Sequence, residues 1–178
     1  DREFYSGVPE IIKCGLLKKN KIIDILINSH HEVSRRDYKV LEKLCSETLK
    51  TKISFFKNDV YENGERLYLN FGHTFAHSFE MATEKLLNKE LIRHGEAVGI
   101  GMLCEVFYEK KKRDKIFNTI EDLLKKYNLP TKVLLKRVPL SREKLHNSIY
   151  KNIFLDKKRV GKNPRYISIK KLYHPQIK

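Results

Sequence analysis

The sequence predicts a mainly α-helical domain with at most a small terminal β-hairpin. Apolar residues recur at three- and four-residue intervals through most of the 178 residues. The stretches end at the punctuation Asn28-Ser29-His30-His31, Asn63-Gly64 and Asn128-Leu129-Pro130. Only the tail, Arg165 to Tyr173, alternates as a strand does.

Val8, Ile11, Ile12, Leu16 and Leu17 are spaced for a helix, with Pro9 suited to its first turn. A second run, Ile22 to Ile27, stops at the polar cluster beginning at Asn28. A long amphipathic stretch is expected from Ser34 to Phe56, with Val40, Leu41, Leu44, Cys45 and Leu49 on one face. Residues 66–87 and 95–109 read as two further helices, and Lys115 to Tyr127 as another. Ser141 can cap a helix running to Phe154. The tail strand is expected to pair with a short partner near Lys132-Val133-Leu134. Gly99-Ile100-Gly101 follows no strand, so it is not a dinucleotide-binding fingerprint.

Composition narrows the function classes. Hydrophobic residues make up 40% and charged residues 33%, the balance of a globular domain with a real core. No window approaches a membrane-spanning length of apolar residues. The first residues carry no basic-then-apolar leader and no initiator Met, so a piece of a longer cytoplasmic protein is expected. Cys14, Cys45 and Cys104 are too scattered for a disulfide framework and are expected to be core fillers in a reducing compartment. The net charge of +15 lies wholly in residues 106–178, with 21 basic and 6 acidic side chains. Its aromatics do not follow an RNP pattern and no zinc-finger spacing occurs, so that excess fits a Lys-rich composition better than a nucleic-acid-binding module.

Three histidines can carry chemistry. His73 and His77 are i and i+4, one helix face about 6 Å apart along the axis. Such a pair can share a metal, or one can ligate while the other moves protons. Thr74 follows the first His where a metalloprotease needs Glu. Spacing alone favours ordinary polar positions over a metal site. Upstream, Glu62, Arg66 and Asn70 stand at four-residue intervals, with Lys52 before them. If the helix reaches back to Glu62, they form one polar stripe leading to His73. Gly72 inside that apolar pattern suggests close approach of backbone or ligand.

These residues carry a resemblance. The run Arg66-Leu67-Tyr68-Leu69-Asn70-Phe71-Gly72-His73-Thr74-Phe75-Ala76-His77 resembles the signature of 3-dehydroquinate synthases, as does His94-Gly95-Glu96-Ala97-Val98-Gly99-Ile100-Gly101-Met102. Ser6-Gly7-Val8-Pro9-Glu10-Ile11-Ile12-Lys13-Cys14-Gly15 is similar to the family's Ser-Gly-x-x-Glu-x-Ile-Lys-x-Gly segment, and Asp156-Lys157-Lys158 with Gly161 to its C-terminal Asp-Lys-Lys element. The four motifs stand in the family's order.

The resemblance implies that residues 1–178 are the C-terminal helical catalytic domain, without the N-terminal NAD-binding domain. It implies a lyase of the shikimate pathway, serving chorismate and aromatic amino acid biosynthesis. That enzyme converts 3-deoxy-D-arabino-heptulosonate 7-phosphate to 3-dehydroquinate and phosphate with NAD and Zn2+ or Co2+. Glu10, His73 and His94 fall on the metal-ligand positions; Lys13, Lys52, Glu62, Arg66, Asn70, Lys157 and Lys158 fall on substrate-binding positions. Glu62 matches a carboxylate that orients Lys52, and His77, Lys13 and Asn70 match catalytic positions. The family is commonly homodimeric. Lys and Arg suit a substrate with a carboxylate and a phosphate. Departures are Ala76 for a usual Gly, Pro9 for a common Ala, and Cys14 for a frequent aromatic. The alternative is a sister sugar-phosphate cyclase such as a 2-deoxy-scyllo-inosose synthase. The isolated fragment is expected to be inactive.

Overall fold

A computed structural model describes residues 1–57, 59–87, 90–133, 141–155 and 165–178. Among them the chain runs α1 (Arg2–Ser6), α2 (Val8–Leu17), α3 (Ile22–Asn28), α4 (His30–Ser34) and α5 (Tyr38–Phe56). A 3-10 turn (Glu65–Asn70) leads into α6 (His73–Leu87) and α7 (His94–Lys110). Then come α8 (Lys115–Lys126), α9 (Arg142–Leu155), β1 (Ile167–Lys171) and β2 (His174–Ile177).

The core is organised around α7. Its residues from Gly95 to Leu103 are all buried, and Glu105 and Val106 with them. A helix apolar or small on every side must be clad on every side. Here α2, α6, α8 and β1 pack around it. Side chains fix the starts of α5, α8 and α9, with Ser141 at the position the sequence marks. Asp37 accepts from the Val40 N–H, Asp114 from Phe117 N–H and Ser141 from Lys144 N–H. At α7, Glu96 accepts from the Arg93 N–H at 3.0 Å and takes Arg2 Nε and Nη2 at 2.8 and 2.7 Å. No helix among the described residues is long and apolar enough to cross a membrane.

The structure revises four expectations. The stretch from residue 66 to 87 is not one helix; it breaks at Phe71-Gly72, where Gly72 takes φ +83. The tail strand pairs with β2, antiparallel, in the register Ile167↔Ile177 and Ser168↔Gln176; Lys132 and Val133 lie in no strand, and Leu134 lies outside the described residues. Helix α5 begins at Tyr38 rather than Ser34, and it buries Leu44, Thr48, Thr51 and Phe55. At 3.6 residues per turn Leu49 stands well round the helix from Leu44, and it is exposed, as is Cys45. Of the thiols, Cys14 is buried, and burial pushes the Cys104 thiol up to about 12.

Candidate functional site

The two motif histidines enter the site from the sharp turn that begins α6. Gly72 at φ +83 reverses the chain so that Asn70 and His73 face one cleft. His73 Nδ1 donates to the Phe71 carbonyl at 3.2 Å, leaving Nε2 directed at Glu10 Oε1, 3.5 Å away. His94, the first residue of α7, places its ring 5.3 Å from that of His73. Its Nδ1 donates to Glu80 Oε1 at 2.8 Å. One ligand atom each from Glu10, His73 and His94 lies within 4.8 Å of the other two. Four-coordinate zinc with bonds of about 2.0–2.2 Å needs donors about 3.4 Å apart. Small side-chain rotations therefore close the set on an ion, and a carboxylate with two imidazoles suits zinc or cobalt. His77, Glu80 and His94 meet the same spacing, but there the Glu80 oxygen is already engaged by the His94 N–H.

Electrostatics prepare the donors. Burial, with the charge of Lys13 beside it, drives the His73 imidazole down to about 3, so it is neutral at any ordinary pH. Burial alone would raise the Glu10 carboxyl, yet Lys13 and, farther off, Lys52 hold it below its ordinary value. The Lys13 ammonium is 2% exposed and lies 2.9 and 3.0 Å from the two Glu10 oxygens. Burial lowers its own pKa, and Glu10 opposes that. The hydrogen bond to Glu80 raises His94 against its partial burial.

A cleft of about 240 Å³ opens beside this group, lined by Lys13, Lys52, Glu62, Arg66, Asn70 and His73 together with Phe56 and Leu69. Lys52 Nζ reaches Glu10 Oε2 at 3.5 Å. Glu62 is not on a helix with Arg66; it sits at φ 58 in the preceding loop. It nevertheless accepts from Asn70 Nδ2 at 2.6 Å, so the stripe is built by loop closure instead of helical spacing. The Arg66 guanidinium stacks on the Phe56 ring at 4.0 Å and donates to the Val60 carbonyl. His77 stands 5.4 Å from His73 and lines a smaller cavity with Asn70, Thr74, Arg165 and Tyr166. Lys157 and Lys158 lie outside the described residues.

Three acidic residues were not singled out from sequence. Asp59 accepts from the N–H groups of Asn63, Gly64 and Arg66 at 2.8, 2.7 and 3.0 Å and so shapes the loop bearing Glu62. Glu80 follows His73 and His77 at i+7 and i+3, a helical spacing that marks it in hindsight. Glu105, fully buried on α7, accepts from the Gly72 N–H at 2.9 Å. Burial pushes its carboxyl up to about 8, although donors on Gly72, Thr74 and Ile167 pull the other way. No periodicity reveals a buried carboxylate whose partners are backbone amides of another element.

Residues 7–159 match the family described as 3-dehydroquinate synthase C-terminal. The chain belongs to that family. It is 32% identical over 178 residues to a 3-dehydroquinate synthase of Chlorobaculum tepidum, covering 97% of this chain and 46% of that protein. It is 33% identical over 173 residues to one of Clostridium perfringens, covering 96% and 45%. The chain thus spans under half the length of these curated relatives. Among solved structures, a 2-deoxy-scyllo-inosose synthase complexed with carbaglucose-6-phosphate, NAD+ and Co2+ aligns with a TM-score of 0.73 at 24% identity, over 98% of this chain and 47% of that one. A 2-epi-5-epi-valiolone synthase of Streptomyces hygroscopicus with NAD+ and Zn2+ aligns with a TM-score of 0.65 at 20% identity, over 85% and 41%. At those identities the likeness speaks for the mainly helical fold alone.

Proposed function

We propose that this chain is the metal- and substrate-binding domain of a 3-dehydroquinate synthase. The whole protein then converts 3-deoxy-D-arabino-heptulosonate 7-phosphate to 3-dehydroquinate and phosphate, in the shikimate pathway of the cytoplasm. The observation that carries the reading is the junction of a Glu-His-His donor set with a cleft holding Lys13, Lys52 and Arg66. Glu10, His73 and His94 hold Zn2+ or Co2+, which when bound acidifies a substrate hydroxyl for oxidation by NAD.

The chain's own residues bind and orient. Arg66, stacked on Phe56, offers a fixed fork of donors to an anionic group. Lys13 and Lys52 add charge on the Glu10 side of the cleft, and Asn70, held by Glu62, offers a second polar contact. His77 is near enough to the donor set to pass a proton to or from substrate. Lys157 and Lys158 are assigned to substrate by their motif. The NAD site is assigned mostly to a domain outside these residues, and the full-length protein to a homodimer. Hydride transfer depends on that orientation, so the isolated chain should not turn over.

The test is phosphate release from the heptulosonate phosphate with zinc and saturating NAD. This chain alone should be inactive, and the protein joined to its upstream domain active. Equal turnover by both would sink the domain assignment. The fold shared with 2-deoxy-scyllo-inosose synthase favours one second reading, a sister cyclase. Turnover of a hexose phosphate in place of the heptulosonate would decide for it.

A further inference from the structure

His94 is the most exposed member of the donor set, its side chain half open to solvent at 51%. An imidazole in that position can present either ring nitrogen and can turn about its side-chain bonds. A metal needs one lone pair, in one direction. For His73 the backbone solves the problem, because the Phe71 carbonyl takes the Nδ1 proton. His94, at the start of α7, has a different partner. Its Nδ1 lies 2.8 Å from Glu80 Oε1. A carboxylate only accepts, so Nδ1 carries the N–H, and in the neutral ring that a metal binds the lone pair is the one on Nε2.

We propose that Glu80 is a positioning residue for the metal centre, fixing the tautomer and ring direction of His94 across the α6–α7 contact. The inference rests on the metal assignment above and deepens it. Glu80 lies two turns along α6 from His73. One helix therefore supplies both a ligand and the group that aims the ligand carried by the next. Such carboxylate–imidazole pairs fix ring orientation and raise the basicity of the ligand.

The experiment is Co2+ binding to the purified chain, read by visible absorption and by competition with a chelator. The variants are E80M, E80A, E80Q, E10A, H73A and H94A. Metal-free melting curves of each show whether the fold is kept. E80M, close in length and with no oxygen acceptor, should weaken Co2+ about 10- to 100-fold and alter the spectrum. E80Q, whose carbonyl still accepts from Nδ1, should recover most of the affinity. Wild-type affinity and spectrum in a folded E80M or E80A would overturn the proposal. A loss in E80Q as large as in E80M would also overturn it, because an acceptor at that position would then not be what aims His94. If E10A, H73A and H94A all kept wild-type affinity, the metal reading itself would fall, and this inference with it.

Discussion

The backbone of Gly101 lies against the carbonyl of Gly72, so close that a methyl group on Gly101 would overlap that oxygen. From the other side, a Cβ on Gly72 would stand 2.8 Å from the Val98 carbonyl oxygen and 2.9 Å from Met102 N. The turn carrying Asn70 and His73 is therefore docked on α7 with main chain against main chain, beside the bond from Gly72 N–H to Glu105. G101A should cost about 3 kcal/mol, the upper range for overpacking, because backbone cannot step aside as a flexible side chain can. Denaturant unfolding measures that cost, and zinc titration should show weaker binding alongside it. A neutral G101A would mean that α6 and α7 can part without consequence.

Lys13 and Glu10 make opposite predictions for stability and for metal. Replacing Lys13 with Met leaves the half-buried Glu10 carboxylate with only Lys52 beside it, which should destabilise the metal-free chain by about 1–3 kcal/mol. The same change removes the cation that competes with a metal for Glu10, so zinc should bind K13M more tightly than wild type. Calorimetric titration of the folded variant decides. Weaker binding would show that Lys13 supports the donor set and does not compete with it.

Glu105 gives a pH dependence with a definite sign. Its folded value near 8 lies above the ordinary 4.5. Between those values the folded chain keeps a proton that the unfolded chain has released, so this group's contribution is full below pH 4.5. It is lost as pH rises through about 8. The loss is on the order of a few kcal/mol. E105Q cannot titrate, so the gap between its unfolding free energy and that of wild type should widen in the variant's favour from pH 5 to 8. A gap that stays constant with pH would rule out the raised carboxyl.

Arg66 should matter for its shape as well as its charge. In the full protein R66K keeps the charge but loses the fork and its stacking on Phe56. One hydrogen bond to a charged group is worth about 1.5–3 kcal/mol, so KM for the heptulosonate phosphate should rise about 10- to 100-fold. Wild-type KM in R66K would place the anion elsewhere in the cleft.

A helix was legible where the apolar period and a cap residue agree, as at Ser141 before α9. The break before α6 was not, because Leu67, Leu69 and Phe71 continue an apolar pattern while the backbone turns under them. What bends it is the close approach of α7, a tertiary demand. The hairpin partner was hidden for a related reason. β2 carries Pro175 and little apolar content, and the turn joining the strands puts Tyr173 at φ 68, where Gly or Asn would have announced it. In the candidate site, the described motif residues gather at one cleft, whereas the connections between them were not legible. Glu62 meets Asn70 through a loop pinned by Asp59, and Glu80 meets His94 across two helices.

Gly95 follows His94, and Ser6 precedes Glu10 by one turn of chain. A Cβ on Gly95 would overlap the Ser6 carbonyl, so the gap across which Glu10 and His94 face each other is set where two stretches of main chain touch. Main chain in contact has no rotamers with which to yield. The backbones that carry the proposed centre should then keep one spacing, leaving only side-chain rotation to meet ions of different radius. Cadmium titrated beside zinc reads that stiffness, and G95A, by forcing the spacing open, should narrow the difference between the two ions. The preference for a metal would be written in a residue that touches none.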